Sequence, residues 1–425
     1  MTAYIQPVLG LIVLVAIAWL LSENRRRASI RIVLIGVAIQ LAFAAVALSV
    51  PVVREAISAV NGIVLALDAA TRAGTSLVFG FLGGGDLPFQ ESFPGASFVL
   101  AFRALPIVLV LSALSAVLWH WGVMPRVIRG FALALRSTLR IDGPVSVGAA
   151  ANIFVGMVEA AILIRPHLRS MSRADLFVTM TCGLTTIAGT VLVLYATFLA
   201  NVIENAAGHL LVASLISAPA AIVIARLMIP AAESGDAPVS SRMAVDDALA
   251  SGKGMYDGTM DALVQGTQDG LRLLLSIIAM LIVFVAMVAL VNQVLGLAPD
   301  VWGAPLTLER MLGWALAPIA WLIGIPWSEA TIAGGLIGTK IVLNELIAYL
   351  QLSGAPADTL SDRSRIILLY ALCSFANFGS VGIMLAGMVA MAPERKSELI
   401  ELGLKALVAG TIATCMTGAV VGLIV

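Results

Sequence analysis

The sequence predicts an all-α polytopic membrane protein: eight transmembrane helices plus two re-entrant hairpins, arranged as inverted repeats. Three observations carry this. Hydrophobic residues make up 60% of the 425 and charged residues 12%, whereas a soluble domain is about half apolar and about a quarter charged. Apolar runs near the roughly 20 residues that a spanning helix needs recur along the chain. Two further apolar stretches, 143–163 and 327–350, each hold a deep carboxylate and are too rich in small residues to be plain spans. The composition also excludes other classes. Lys+Arg and Asp+Glu are both 25, so no basic excess exists for nucleic acid. Cys182, Cys373 and Cys415 sit in apolar runs and read as small buried hydrophobes rather than a disulfide or metal framework.

In chain order, spans are expected at 5–21, 30–50, 98–121, 176–200, 210–229, 271–297, 366–391 and 399–425. The first has no basic residues before it and a positive cluster after it, which distinguishes it from a cleaved signal peptide. That cluster, Arg25, Arg26, Arg27 and Arg31, belongs on the cytoplasmic side, so the N-terminus is expected outside. Threading eight spans from there leaves 18 of the 25 basic residues in inward-facing segments and places the C-terminus outside. The stretch 52–83 reads as an outer-surface helix. Residues 123–139, with Arg126, Arg129 and Arg136 on an apolar background, read as a helix lying in the inner interface. The one strongly polar stretch, 230–258, reads as a cytoplasmic linker between two halves. The expected divisions are 1–97 (first two spans and outer-surface helix), 98–141 (third span and inner helix), 142–230 (first repeat), 231–258 (linker), 259–298 (sixth span) and 299–425 (second repeat).

The hairpin stretches read GPVSVGAAANIFVGMVEAAIL and WSEATIAGGLIGTKIVLNELIAYL, with Glu159 and Glu345 deep inside. By the threading above, one enters from the cytoplasm and the other from outside. Each is followed by a span with a polar or glycine break: Thr185-Thr186-Ile187-Ala188-Gly189-Thr190-Val191 in the first half, Asn377-Phe378-Gly379-Ser380 in the second. Inverted units with broken helices meeting at mid-membrane point to a secondary transporter. Bare backbone at that depth is tolerated only against protein or water, so the breaks are expected to line a cavity.

A carboxylate at the bilayer centre costs about 2.5–3.5 kcal/mol even on insertion scales, which marks Glu159 and Glu345 as candidate site residues. The plain alternative is a structural carboxylate bonded to hairpin amides. Lys340, five residues before Glu345, reads as its salt-bridge partner within the hairpin. Asn377 and Ser380 are three apart on a broken helix and can share a face. Phe154, Phe375 and Phe378 flank these groups and could stack on a planar ligand. The three histidines are far apart in sequence with no ligand spacing, so no metal site is assigned to them. An intramembrane enzyme using the two glutamates lacks any accompanying motif; a channel or sensor on the same scaffold is the other reading.

Four motifs resemble concentrative nucleoside transporters of the bacterial eight-span type. They are Gly338-Thr339-Lys340 running on to Asn344-Glu345-Leu346-Ile347-Ala348-Tyr349; Phe375-Ala376-Asn377-Phe378-Gly379-Ser380-Val381-Gly382-Ile383; Ala149-Ala150-Ala151-Asn152-Ile153-Phe154-Val155-Gly156 with Glu159-Ala160; and Thr186-Ile187-Ala188-Gly189-Thr190-Val191. Asp269-Gly270-Leu271-Arg272-Leu273 also fits. The resemblance implies a homotrimer in the inner membrane, with a transport domain sliding elevator-fashion against a scaffold of the third and sixth spans. It implies a cation-coupled symporter importing nucleosides, with sodium favoured over proton and no other cofactor. The alternative is a proton-coupled carrier of another ribosyl or nucleoside-like solute. Carried over by motif, ribose contacts fall on Glu345, Asn377 and Ser380, and base contacts on Met157, Val158 and Glu159, with Val191 lining the pocket. Sodium ligands fall on Asn152, Thr186 and the carbonyls of Val155 and Ile187. The departure is Met157-Val158, where the family usually carries Gln-Thr or Gln-Ser. It removes two base-directed polar side chains, so base selectivity is expected to be broad or shifted.

Overall fold

A computed structural model describes residues 2–92, 96–139, 141–231, 245–246, 248–249 and 254–425. Among them the chain is helical, with one isolated bridge between Val301 and Ala304. Six helical segments are long and apolar enough to cross a membrane: Ile30–Ser49, Leu100–His120, Arg173–Leu199, Ala206–Met228, Thr259–Leu295 and Pro393–Gly422. The first expected span is the helix Thr2–Leu20. The seventh is a pair of short helices, Asp362–Leu372 and Phe378–Met391. Most of the expected linker, with Arg242 and Lys253, lies outside the described residues, as does Arg140.

The element order repeats. The helix Val123–Leu139 leads into a first hairpin, Gly143–Ala151 and Met157–Leu163, then the broken pair Arg173–Thr185 and Gly189–Leu199, then Ala206–Met228. In the second half, Leu308–Leu322 leads into Trp327–Val342 and Glu345–Gly354, then Asp362–Leu372 and Phe378–Met391, then Lys396–Gly422. The limbs of each hairpin pack on one another. Two expected boundaries are corrected. The sixth span begins at Thr259, not 271, because its first three turns are polar but helical. The second hairpin runs on to Gly354.

Among the described helices, Ser172, Thr307, Asn344, Ser361 and Asn377 cap a helix start by accepting from a first-turn backbone amide. Ser172 accepts from the amide of Asp175 at 3.1 Å and its hydroxyl donates to the Asp175 carboxylate at 2.6 Å; that carboxylate pairs with Arg226 at 2.5 Å. Arg365, in the first turn of the helix Asp362–Leu372, is buried. It donates to the carbonyls of Leu352, Ala355 and Pro356, closing the C-terminal end of the second hairpin.

Burial divides the molecule. Twelve of the thirteen residues of Arg173–Thr185 are buried. The 37-residue helix Thr259–Leu295 instead buries only Ala262, Gly266, Gly270 and Leu274. Gly266 and Gly270 meet the helix Ile107–His120 so closely that a β-carbon on Gly266 would lie 2.7 Å from Ala116 Cβ and 2.8 Å from the Ser112 carbonyl oxygen. Apolar area supplies no attraction between helices in lipid, so close backbone approach through small residues is the contact that holds such a pair.

Candidate functional site

The four helix breaks meet at one cavity of about 490 Å³. Phe154, Val155 and Gly156 come from the first hairpin turn, Ala188 from the first broken helix, Asn344 from the second hairpin turn, and Phe375 and Asn377 from the second broken helix. The opposite wall is one face of Ile107–His120 (Ser112, Ser115, Ala116, Trp119) and one of Thr259–Leu295 (from Gly266 to Phe284). Breaks free backbone groups and small residues let them converge, so the expectation of a cavity at the breaks is met.

Seven residues singled out for a ligand line this cavity: Glu345, Asn377, Ser380, Glu159, Met157, Val158 and Val191. The Glu345 carboxylate is buried and clamped. Tyr195 donates its hydroxyl to Oε1 at 2.6 Å, and Asn377 donates Nδ2 to Oε2 at 2.9 Å. Asn377 is also the helix cap of Phe378–Met391, its Oδ1 accepting from the Ser380 amide at 2.7 Å. Its two functional atoms therefore do separate work: the oxygen starts a helix and the nitrogen orients the carboxylate. Asn344 caps Glu345–Gly354 in the same way, accepting from the Ile347 amide at 2.9 Å. A carboxylate keeps further lone pairs when two are engaged, so Glu345 can still accept from ligand hydroxyls.

Tyr195 was not singled out from the sequence. The available signal was a tyrosine six residues past the Gly189 break, in an otherwise apolar helix. Its ring packs on Tyr349 with centroids 5.1 Å apart, and Tyr349 donates its hydroxyl to the Leu369 carbonyl at 2.8 Å. Thr190, Ser276 and Tyr256 also line the cavity and were not expected there.

Two expectations are corrected. Lys340 forms no salt bridge with Glu345. Its ammonium donates to Thr414 Oγ1 at 3.2 Å, and among the described residues no carboxylate lies within ion-pair distance of it. Both Glu345 oxygens point instead to Tyr195 and Asn377. Phe378 is 54% exposed and does not line the cavity, whereas Phe154 and Phe375 do. Phe378 opens the helix Phe378–Met391 immediately after its cap, and its side chain leaves on the outer face.

Residues suggested for sodium divide. Thr186 Oγ1 donates to the carbonyl of Asn152 at 2.7 Å and of Cys182 at 3.1 Å, joining the first hairpin to the broken helix beside it. Asn152 donates Nδ2 to the Gly148 carbonyl at 2.8 Å, which leaves its Oδ1 turned toward Gly183. Val155 lines the cavity; Ile187 is buried beside Thr186. The structure therefore brings Asn152 and Thr186 together, with the amide and hydroxyl oxygens that a hard cation takes.

The sequence profile described as "Na+ dependent nucleoside transporter C-terminus" matches residues 209–422, its N-terminal companion matches 9–82, and one described as "Nucleoside recognition" matches 101–202. The chain is 38% identical to the uncharacterized transporter YutK of Bacillus subtilis, covering 98% of each protein. It is 34% identical to the nucleoside permease NupC of Helicobacter pylori, covering 98% of this chain and 97% of that one. Among solved structures, CNTnw in an inward-facing substrate-bound state aligns with a TM-score of 0.88 at 35% identity, covering 99% of this chain and 97% of that one. An outward-facing CNTnw variant aligns with a TM-score of 0.89 at 35% identity, covering 100% and 98%.

Proposed function

This chain belongs to the sodium-dependent, concentrative nucleoside transporter family, and we propose that it is a cation-coupled symporter that imports nucleosides across the bacterial inner membrane. The observation that supports this best is the Glu345 carboxylate, fixed between Tyr195 and Asn377 where four helix breaks meet. A fixed carboxylate accepts from the vicinal hydroxyls of a ribose. Ser380 lies beside Asn377 on the same helix start. Met157, Val158, Glu159 and Val191 form the end of the cavity that receives the base.

Sodium is the coupling ion in this reading. Asn152 and Thr186 supply side-chain oxygens, and the breaks at Val155 and Ile187 supply carbonyls, without an acidic ligand. The carrier works as a homotrimer, with both repeats moving as a transport domain against a scaffold of Ile107–His120 and Thr259–Leu295. The two scaffold helices meet along the Gly266 and Gly270 seam, Asn292 ties the far end of the long helix to Glu309 and the Leu308 amide, and its exposed apolar side chains face lipid and neighbouring subunits. Both termini lie outside, since the arginine cluster at 25–31 belongs on the cytoplasmic side.

The test is uptake of labelled adenosine and cytidine into proteoliposomes under an inward sodium gradient, against choline at fixed pH. Sodium-driven accumulation is expected. Sodium-independent uptake that collapses with a protonophore moves coupling to the carboxylates. Absence of nucleoside uptake, with the protein correctly reconstituted, refutes the substrate assignment.

A further inference from the structure

The two halves of the chain repeat the same elements in order, so residues at one hairpin have counterparts at the other. Asn152 lies four residues before Gly156, the cap of the returning limb of the first hairpin. Lys340 lies four residues before Asn344, the cap of the returning limb of the second. Thr186 ends the half-helix Arg173–Thr185 of the first broken span. Cys373 ends the corresponding half-helix, Asp362–Leu372. The helices that close the two repeats keep the same register. Ser217 and Thr417 meet at 3.2 Å. One turn earlier on each, Ser214 Oγ lies 3.5 Å from the carbonyl oxygen of Ile153, and Thr414 Oγ1 accepts from Lys340 Nζ at 3.2 Å. The pair Asn152 and Thr186 therefore has Lys340 and Cys373 as its counterpart.

The two positions share an architecture and differ in chemistry. In each, a hairpin limb and a half-helix of a broken span pack against one another. The C-terminal ends of half-helices, with free carbonyls and a negative dipole, favour a cation. In the first repeat, the side chains offer an amide and a hydroxyl oxygen, which suit a hard ion. In the second, the hydroxyl is replaced by the Cys373 thiol, a poor match for sodium, which donates to the Leu210 carbonyl at 3.7 Å. The amide is replaced by an ammonium. Lys340 is wholly buried, and among the described residues its one hydrogen bond is to Thr414. A buried ammonium with no carboxylate beside it is costly unless its surroundings favour positive charge. The converging half-helix ends supply that preference.

Building on the sodium reading above, we propose that Lys340 is a tethered cation: its ammonium permanently fills, in the second repeat, the position that sodium fills in the first. Only one of the two equivalent positions then exchanges its ion, and the carrier takes a single sodium with each nucleoside. Lys340 is a positioning residue. It holds the second hairpin to the helix Lys396–Gly422 with a charge that stays when the carrier empties.

The test rebuilds the first repeat's pair in the second. Lys340→Asn combined with Cys373→Thr is compared with wild type and with Lys340→Met, all as full-length protein. One readout is the melting temperature of the purified protein against sodium, without nucleoside. The other is adenosine uptake into proteoliposomes against sodium. The wild type is expected to give a hyperbolic sodium curve with a Hill coefficient of about 1, and the double variant a sigmoidal curve approaching about 2. The melting temperature of the double variant should also climb more steeply with sodium, since each bound ion stabilises by mass action. Lys340→Met leaves the half-helix ends without a cation and is expected to lower uptake by about tenfold or more at every sodium concentration. A wild-type Hill coefficient of about 2 overturns the proposal, because the second position then takes a free ion. So does a double variant whose sodium dependence matches wild type in both readouts, or full uptake by Lys340→Met. Wild-type adenosine uptake that does not respond to sodium overturns the sodium reading and this proposal together, and leaves the nucleoside reading standing. If the variants are not recovered as folded protein, the wild-type Hill coefficient decides.

Discussion

Replacing Glu345 by Gln isolates the carboxylate at constant size. In the native protein, its two oxygens accept from Tyr195 at 2.6 Å and Asn377 at 2.9 Å. Gln has one acceptor oxygen, so its amide nitrogen must face either the Tyr195 hydroxyl or the Asn377 amide. At least one hydrogen bond to a charged group is lost, at about 1.5–3 kcal/mol. The proposed ribose contact loses its charge assistance and a comparable amount. Together these make about 3 kcal/mol or more, on the order of 100-fold in uptake efficiency. Tyr195→Phe removes one donor while keeping the ring against Tyr349, and is expected to cost about tenfold. The assay is initial-rate uptake in proteoliposomes across a range of adenosine concentrations, with size-exclusion chromatography confirming folded protein. Wild-type rate and KM in Glu345→Gln would refute the assignment of this carboxylate to the substrate.

Three other outcomes are expected. Met157→Gln combined with Val158→Thr restores side-chain donors at the hairpin tip and should improve inhibition by uridine relative to cytidine; an unchanged competition profile would mean that the tip does not read the base. Thr186→Val removes the hydroxyl that joins Asn152 to Cys182 and should raise the half-saturating sodium concentration by about tenfold, measured as uptake against sodium at fixed adenosine; an unchanged sodium curve removes Thr186 from the ion site. Glu23, in the loop after the first helix, is bonded to Arg173 at 2.9 Å and Lys405 at 2.7 Å. The Arg173 guanidinium, aided by Lys405, holds its carboxyl below the usual 4.5. A lowered carboxylate pKa contributes stability above the unfolded value and loses it as pH falls through the folded one. Glu23→Gln should therefore lower Tm at pH 7.5, with the gap to wild type closing toward acid pH; an equal gap at both pH values would contradict the linkage.

Much of the architecture is legible in the sequence, and for one physical reason. In lipid, the solvation of the backbone is decided locally, so apolar length marks a span and a cluster of small or capping residues marks a break. The eight spans, the two hairpins, the helix Val123–Leu139 and the four breaks all follow from that rule, and the helix ends differ mainly where a helix outruns its apolar core, as at Thr259. The motif residues were placed in one region by resemblance, and seven of them do share one cavity. Partner choice was decided by the tertiary structure alone. Tyr195 reaches Glu345 across 150 residues, and Lys340 reaches Thr414 across 74. Sequence proximity suggested a Lys340–Glu345 bridge. However, Lys340 lies on Trp327–Val342 and Glu345 begins the next limb beyond the turn at Leu343 and Asn344, so the two side chains leave in different directions. The double duty of Asn377 likewise depends on which distant element packs beside it. Composition over twenty residues determines where a helix sits in a membrane; the hydrogen-bond partner of a buried side chain is set by whichever helix the close packing of small residues brings next to it.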